Sequence, residues 1–225
     1  MSALEGKLAI ITGAKGGLGS FITEAFLAAG AKVVGMSRSI QASAFPHPEF
    51  VAMPADLSSG QVARKVADDV VAQFGRIDAL VHAVGGFADG RCHARQDAGS
   101  ELPFGVLHRA GSAAAHATPG RRESLAVASR QAAEPGAMVG AYSASKAALI
   151  APIRTIALEN TDRGISANTV LPGTMDTPAN RAADPEADPL QWVQPVQVAA
   201  LLVHLASNAG SQVTGAAIPI FGGQV

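Results

Sequence analysis

Apolar runs and helical periodicities alternate along most of the chain, and their lengths set the elements. Lys7–Gly13 (KLAIITG) is a short apolar run that stops at glycine, the pattern of a buried parallel strand. Ser20–Ala29 (SFITEAFLAA) repeats apolar residues at helical spacing and stops at Gly30. Ala31–Ser37 predicts a second strand, Phe50–Met53 a shorter third, and Gln61–Phe74 an amphipathic helix. Ile77–Val84 (IDALVHAV) predicts a fourth strand, closed by Gly85 and Gly86. Farther along, Ala141–Asn160 reads as a long helix and Ile165–Leu171 as a strand ending at Pro172 and Gly173. Pro195–Ser207 reads as a helix and Gly215–Phe221 as a last strand. One stretch breaks the alternation: Gly99–Ser124 mixes small residues with Pro103, Pro119 and an arginine pair, and has no sustained apolar stripe.

Strands alternating with helices imply a parallel sheet with helices on both faces. The fold class expected is α/β, a doubly wound parallel sheet in a single Rossmann-type domain over residues 1–225, with about 88–124 atypical. Right-handed crossovers put its ligand crevice at the C-terminal ends of the strands.

A hydrophobic fraction of 48% argues against disorder, and a net charge of −1 gives no electrostatic case for nucleic acid or an anionic membrane. The single cysteine, Cys92, rules out an internal disulfide framework and fits a reducing compartment. The opening MSALEGKLAIITGA lacks the basic flank and long apolar stretch of a signal peptide, so a cytoplasmic location is expected. No metal site is expected, because no His or Cys pair has ligand spacing.

Two stretches carry candidate chemistry. TGAKGGLG, Thr12–Gly19, lies where the first strand meets the first helix. There Gly13 permits a tight turn, Gly17 lets backbone approach a pyrophosphate, and Gly19 lets helix pack on strand. An ordinary strand–helix turn would also use glycine. YSASK, Tyr142–Lys146, holds the only tyrosine of the chain and opens a predicted helix. Residues four apart share a helical face, so an ammonium can favour the phenolate and bring the phenol into range for proton transfer. Taken alone, the pair reads equally as an exposed surface pair.

Together, T-G-x-x-x-G-x-G near the N-terminus and Y-x-x-x-K downstream resemble the short-chain dehydrogenases/reductases, over about residues 4–87 and 125–225. The resemblance implies NAD(P)-dependent interconversion of a carbonyl and an alcohol, with Tyr142 as general acid/base. Lys146 would tune Tyr142 and bind the nicotinamide ribose. Ser129, thirteen residues before Tyr142, would hold the substrate carbonyl. Gly13, Lys15, Gly17, Leu18, Gly19, Gly85 and the Asp56-Leu57 pair would bind cofactor. In LPGTMDT, so would Pro172, Gly173 and Thr177.

NAD-preferring members carry an acidic residue at the end of the second strand, where this chain has Ser37 and then Arg38. Arg38 and Lys15 can clamp a 2′-phosphate, so NADP is expected over NAD. HAVG, His82–Gly85, replaces the family's N-N-A-G, so the Asn that ties neighbouring strands is missing and His82 is expected to be a satisfied interior residue.

The family also places a catalytic Asn near Glu101, yet Asp89–Ser124 contains no Asn. Back-translated from Glu101 with permitted codons and shifted one nucleotide, the chain can read NFRSAFYTARAALPHMRRQGGGS, which restores the Asn, a helix and a turn. Two compensating frame changes bounding residues 88–124 are therefore expected, in the reading of the gene or in the gene itself, and resequencing with intact mass tests this. If the chain is as printed, the different-class alternative is a catalytically impaired nucleotide-binding protein or interaction module. The partner expected is a small-molecule carbonyl or alcohol, with Met175–Val193 as a lid containing Trp192, and a homo-oligomer (tetramer or dimer) is the family habit.

Overall fold

The computed structural model describes residues 2–85 and 121–223. Seven strands form one parallel sheet: β1 (Leu8–Thr12), β2 (Lys32–Ser37), β3 (Phe50–Pro54), β4 (Ala79–His82), β5 (Arg122–Val127), β6 (Ile165–Pro172) and β7 (Ala217–Ile220). Their spatial order is β3-β2-β1-β4-β5-β6-β7, so the winding reverses between β1 and β4. The helices are α1 (Gly19–Ala28), α2 (Gly60–Phe74), α3 (Gly140–Glu159), α4 (Pro178–Ala183) and α5 (Pro195–Ala206).

The central strands are apolar on both sides because both faces of the sheet are covered. Ile11, Val33, Val81 and Leu125 point to one core, filled by Ile22 and Phe26 of α1 and by Val198 and Leu202 of α5. Ile10, Val34 and Leu80 point to the other, filled by Ala67 and Val70 of α2 and by Leu149 and Ile153 of α3. Adjacent residues Ile10 and Ile11 serve opposite faces, as the strand period requires. Helix ends follow local chemistry: Gly75 stops α2 in the left-handed region at φ 74°, and Pro195 opens α5 at its first turn.

β5 corrects the reading of the atypical stretch. Its end is not structureless: Arg122–Ser124 form the first half of a central strand, in register with Ile165–Ala167 of β6. Charged residues hid this strand, and two of them, Arg121 and Glu123, find hydrogen-bond partners inside the fold. Arg121 Nη2 donates to Glu123 Oε2 at 2.6 Å, and the same guanidinium reaches the carbonyls of Ser207 and Gly210 at 2.8 and 3.0 Å. Asn168 Nδ2 donates to Glu123 Oε1 at 2.9 Å. Burial still dominates Glu123, pushing its carboxyl up to about 8 despite the Arg121 charge.

Candidate active site

The reversal of strand order opens a crevice at the C-terminal ends of β1 and β4, and the glycine turn lies there. Gly13 sits at φ +70°, and a methyl group on it would stand 2.7 Å from the Ala83 carbonyl oxygen of the β4 end. A methyl on Gly19 would collide with the Gly13 carbonyl, so α1 crosses its own entry strand at contact distance. Gly17 differs: its nearest neighbour would be Thr177 Cγ2 at 4.0 Å, leaving an open backbone face that looks across to the β6 end. Gly16, not singled out in the sequence, closes the turn by donating its N–H to Gly13 O at 2.8 Å. No side chain caps α1, so its N-terminal field faces the crevice. Leu18 is buried beneath the turn as an anchor, while Lys15 stands exposed on it.

Thr12 and His82 pair across β1 and β4, and their hydroxyl and Nδ1 share a buried hydrogen bond of 2.9 Å. His82 therefore supplies the inter-strand tie that the replaced Asn was expected to leave missing. Two strand-end polar residues, each able to donate or accept, were the available signal.

At the neighbouring strand end, Ser37 Oγ is buried without a hydrogen-bond partner, and Arg38 is exposed beside it. An orphaned hydroxyl next to a guanidinium at a strand C-terminus suits an incoming phosphate oxygen. Asp56 follows β3; hydrogen bonds from Ser58 hold its carboxyl below the usual value, and the Arg38 charge adds to this. Leu57 turns inward among Met36 and Val66, which fixes Asp56 at the surface. Gly85, at φ +148°, is exposed just beyond β4.

Ser129 lies two residues past β5, where its hydroxyl accepts from Gln131 N at 3.2 Å. Gln131 Oε1 in turn accepts from Gly136 N at 2.6 Å, pinning the loop that leads into α3. The short turn Arg130–Ala132 packs against α3. Tyr142 is half-buried in the first turn of that helix, and Lys146 follows one turn later with its ammonium stem buried. Ser145 Oγ donates to Tyr142 O at 2.8 Å, tightening the turn between them. Arg130, which sequence reasoning passed over, stacks its guanidinium 4.7 Å from the Phe221 ring centroid and pairs with Glu134 at 2.6 Å. This joins the ends of β5 and β7.

Beyond β6, Gly173 N donates to Ile220 O at 2.9 Å, and Thr177 caps α4 by accepting from Asn180 N at 3.2 Å. The segment from Met175 to Val193 closes on itself through a parallel bridge between those two residues. Asp176 receives Arg181 Nε at 2.5 Å and Gln194 Nε2 at 3.2 Å, and these donors hold its carboxyl below the usual value, Arg181 foremost. Trp192 is buried at the base of this cover. The Asn expected near Glu101, Cys92 and most of residues 88–124, where frame changes were expected, lie outside the described residues. Among the described residues, no group of three His, Cys, Asp or Glu could hold a metal, and no helix is long and apolar enough to cross a membrane.

A glycine-lined turn under a helix N-terminus, set at the reversal of a seven-stranded parallel sheet, defines a dinucleotide-binding protein of the Rossmann type. A family model described as short chain dehydrogenase matches residues 7–188, and the chain belongs to that family. It is 32% identical to the rhamnolipids biosynthesis 3-oxoacyl-[acyl-carrier-protein] reductase of Pseudomonas aeruginosa, over 98% of this chain and 97% of the relative. It is 30% identical to the D-threitol dehydrogenase of Mycolicibacterium smegmatis, over 98% and 93%. Among solved structures, the Pseudomonas aeruginosa RhlG/NADP active-site complex aligns at TM-score 0.83 and 27% identity, covering 99% of this chain and 98% of that one. L-sorbose reductase from Gluconobacter frateurii, complexed with NADPH and L-sorbose, shares the fold at TM-score 0.86 and 22% identity over 100% and 99%. The chain is thus an NAD(P)-dependent oxidoreductase of the CH–OH/C=O class. The comparisons lend no support to the impaired-protein alternative.

Proposed function

We propose that this chain, acting as one domain, interconverts a carbonyl and an alcohol with NADP(H). The observation that carries the reading is the placement of Tyr142 and buried Lys146 on one face of α3, packed against the turn that follows Ser129. Bound dinucleotide supplies the hydride for reduction or accepts it in oxidation. Tyr142 gives its phenolic proton to the carbonyl oxygen during reduction and takes the hydroxyl proton during oxidation. Ser129 donates its hydroxyl proton to the same oxygen as a hydrogen bond and sets the carbonyl in place. Lys146 stabilises the phenolate left behind and holds the ribose.

The fit to NADP rests on the crevice itself. The backbone at Gly13, Gly17 and Gly19 with the α1 N-terminus would hold the pyrophosphate. Ser37, Arg38 and Lys15 would hold the 2′-phosphate. Asp56, Leu57 and Gly85 flank the adenosine side, and Pro172, Gly173 and Thr177 the nicotinamide side. NADPH or NADP in related structures supports this choice. Relatives are named for a 3-oxoacyl chain, a tetritol and a steroid, so the shared element is the carbonyl/alcohol pair. A cytoplasmic homo-oligomer, tetramer or dimer, accords with the single cysteine and with a half-exposed edge strand β7.

NADPH oxidation on a panel of carbonyl compounds tests the reading. Turnover that is lost in Tyr142→Phe, with cofactor fluorescence retained, supports it; cofactor binding without turnover on any compound refutes it.

A further inference from the structure

Arg121, Glu123 and Asn168 grip a stretch of chain that has no ionisable residue of its own. That stretch, Ser207 to Ala216, joins α5 to the edge strand β7. Arg121 donates to the carbonyls of Ser207 and Gly210. Asn168 Nδ2 donates to Val213 O at 2.9 Å, and Asn168 Oδ1 accepts from Ala216 N at 3.1 Å. Glu123 joins the two, taking Arg121 on one carboxyl oxygen and Asn168 on the other. Thr214 Oγ1 adds a bond by accepting from Ala167 N at 3.2 Å.

What this grip delivers is the least supported strand of the sheet. β7 has four residues, one neighbouring strand and a half-exposed surface, and Pro219 within it has no N–H to give. Its far end reaches the crevice. Ile220 O accepts from Gly173 N at 2.9 Å, and Phe221 lies beneath the Arg130 guanidinium. A methyl on Gly222 would stand 3.0 Å from Gln191 O and 3.4 Å from the Trp192 carbonyl carbon, so the chain after β7 lies hard against the foot of the 175–193 segment.

Two cations act on Glu123, Arg121 and Lys7, and Lys7 Nζ itself donates to Ala206 O at 2.7 Å. β6 and residues 207–216 carry no ionisable side chain, α5 carries only the exposed His204, and β4 only His82 at its opposite end. Burial outweighs both cations and pushes the carboxyl up to about 8, so the closed cluster holds the neutral acid. Opened to water, the same carboxyl ionises at its ordinary value. Opening therefore gains about tenfold for each pH unit between those two values. We propose that Arg121, Glu123 and Asn168 form a pH-set latch on β7. As protons are withdrawn the latch opens, β7 parts from β6 while β1 and β2 stay paired, and the foot of the 175–193 segment loosens. The latch lies at the opposite edge of the sheet from the crevice and works whatever the crevice binds.

Hydrogen exchange of the whole chain from pH 5 to 9, corrected for the intrinsic exchange rate, tests the latch. The amides of Gly215, Ala216 and Gly173 report on it, because each is held by a bond that opening breaks. Their protection should lie below that of Ile10 and Val34 at every pH and should fall about tenfold per unit up to about pH 8. In Glu123→Gln it should not change with pH. Protection that is constant with pH in the unaltered chain, or that is lost only together with Ile10 and Val34, overturns the latch. The fluorescence of Trp192, the only tryptophan, reads the crevice end. Its quenching by acrylamide should rise from pH 6 to 9 in the unaltered chain and stay level in the variant. Quenching that stays level in both overturns the link to the 175–193 segment.

Discussion

Glu123 makes the stability of this protein fall as pH rises, and replacing it by glutamine should abolish that dependence. Its side chain is 1% exposed at the start of a central strand, and burial lifts its carboxyl from 4.5 to about 8. The native state therefore holds a proton that the unfolded chain has already released, throughout the window between those two values. Stability is full below the unfolded value, declines through the window and levels off above the folded one. At about 1.4 kcal/mol per unit, the loss is about 3–5 kcal/mol across the window. Lys7 works with the opposite sign: burial lowers its ammonium, so its contribution increases with pH, toward the alkaline end. In Glu123→Gln the amide oxygen can keep the bond from Asn168 Nδ2, and no charge has to enter the core. Urea unfolding at fixed protein concentration, from pH 5 to 9, should give a falling curve for the unaltered chain and a nearly flat one for the variant. The variant should be the more stable at pH 9. Parallel curves, or a stability that climbs from pH 5 to 8 in both, would show Glu123 ionised in the native state and refute the reasoning.

The other predictions concern the crevice. Tyr142→Phe should lower kcat by about 10²–10⁴-fold while NADPH binding, read by fluorescence, stays intact. Arg38→Gln should raise KM for NADPH by about 10- to 100-fold and leave KM for NADH little changed, since only the 2′-phosphate loses its partner. Gly17→Ala should fold normally, its nearest neighbour being 4.0 Å away, yet bind NADPH more weakly; Gly13→Ala should lower Tm, because the methyl meets the Ala83 carbonyl and the left-handed backbone together.

What the sequence revealed was the part governed by local rules. The strand–helix alternation, the glycine turn and the four-residue spacing of Tyr142 and Lys146 are all local in sequence, and the doubly wound parallel sheet followed from the alternation and crossover handedness. What it hid depended on partners far along the chain. Arg121 and Glu123 look unlike part of a central strand until Ser207, Gly210 and Asn168 are seen to be their partners. His82 looked like the loss of a strand tie because its partner Thr12 lies 70 residues away.

The guanidinium of Arg121 also bears on the order in which the protein assembles. Its acceptors lie 84 to 89 residues downstream, at Leu205, Ser207 and Gly210, and Asn168, which donates to Glu123, is itself fixed by Val213 O. Until those residues have been synthesised, the Arg121–Glu123 pair can enter the sheet only without its carbonyl acceptors at Leu205, Ser207 and Gly210, and a buried ion pair lacking such partners is costly. This inner strand, β5, must therefore be among the last to lock. A nascent chain released before residue 205 should leave β4 and β6 unjoined, a half-finished sheet with two open edges for chaperones or proteases to find.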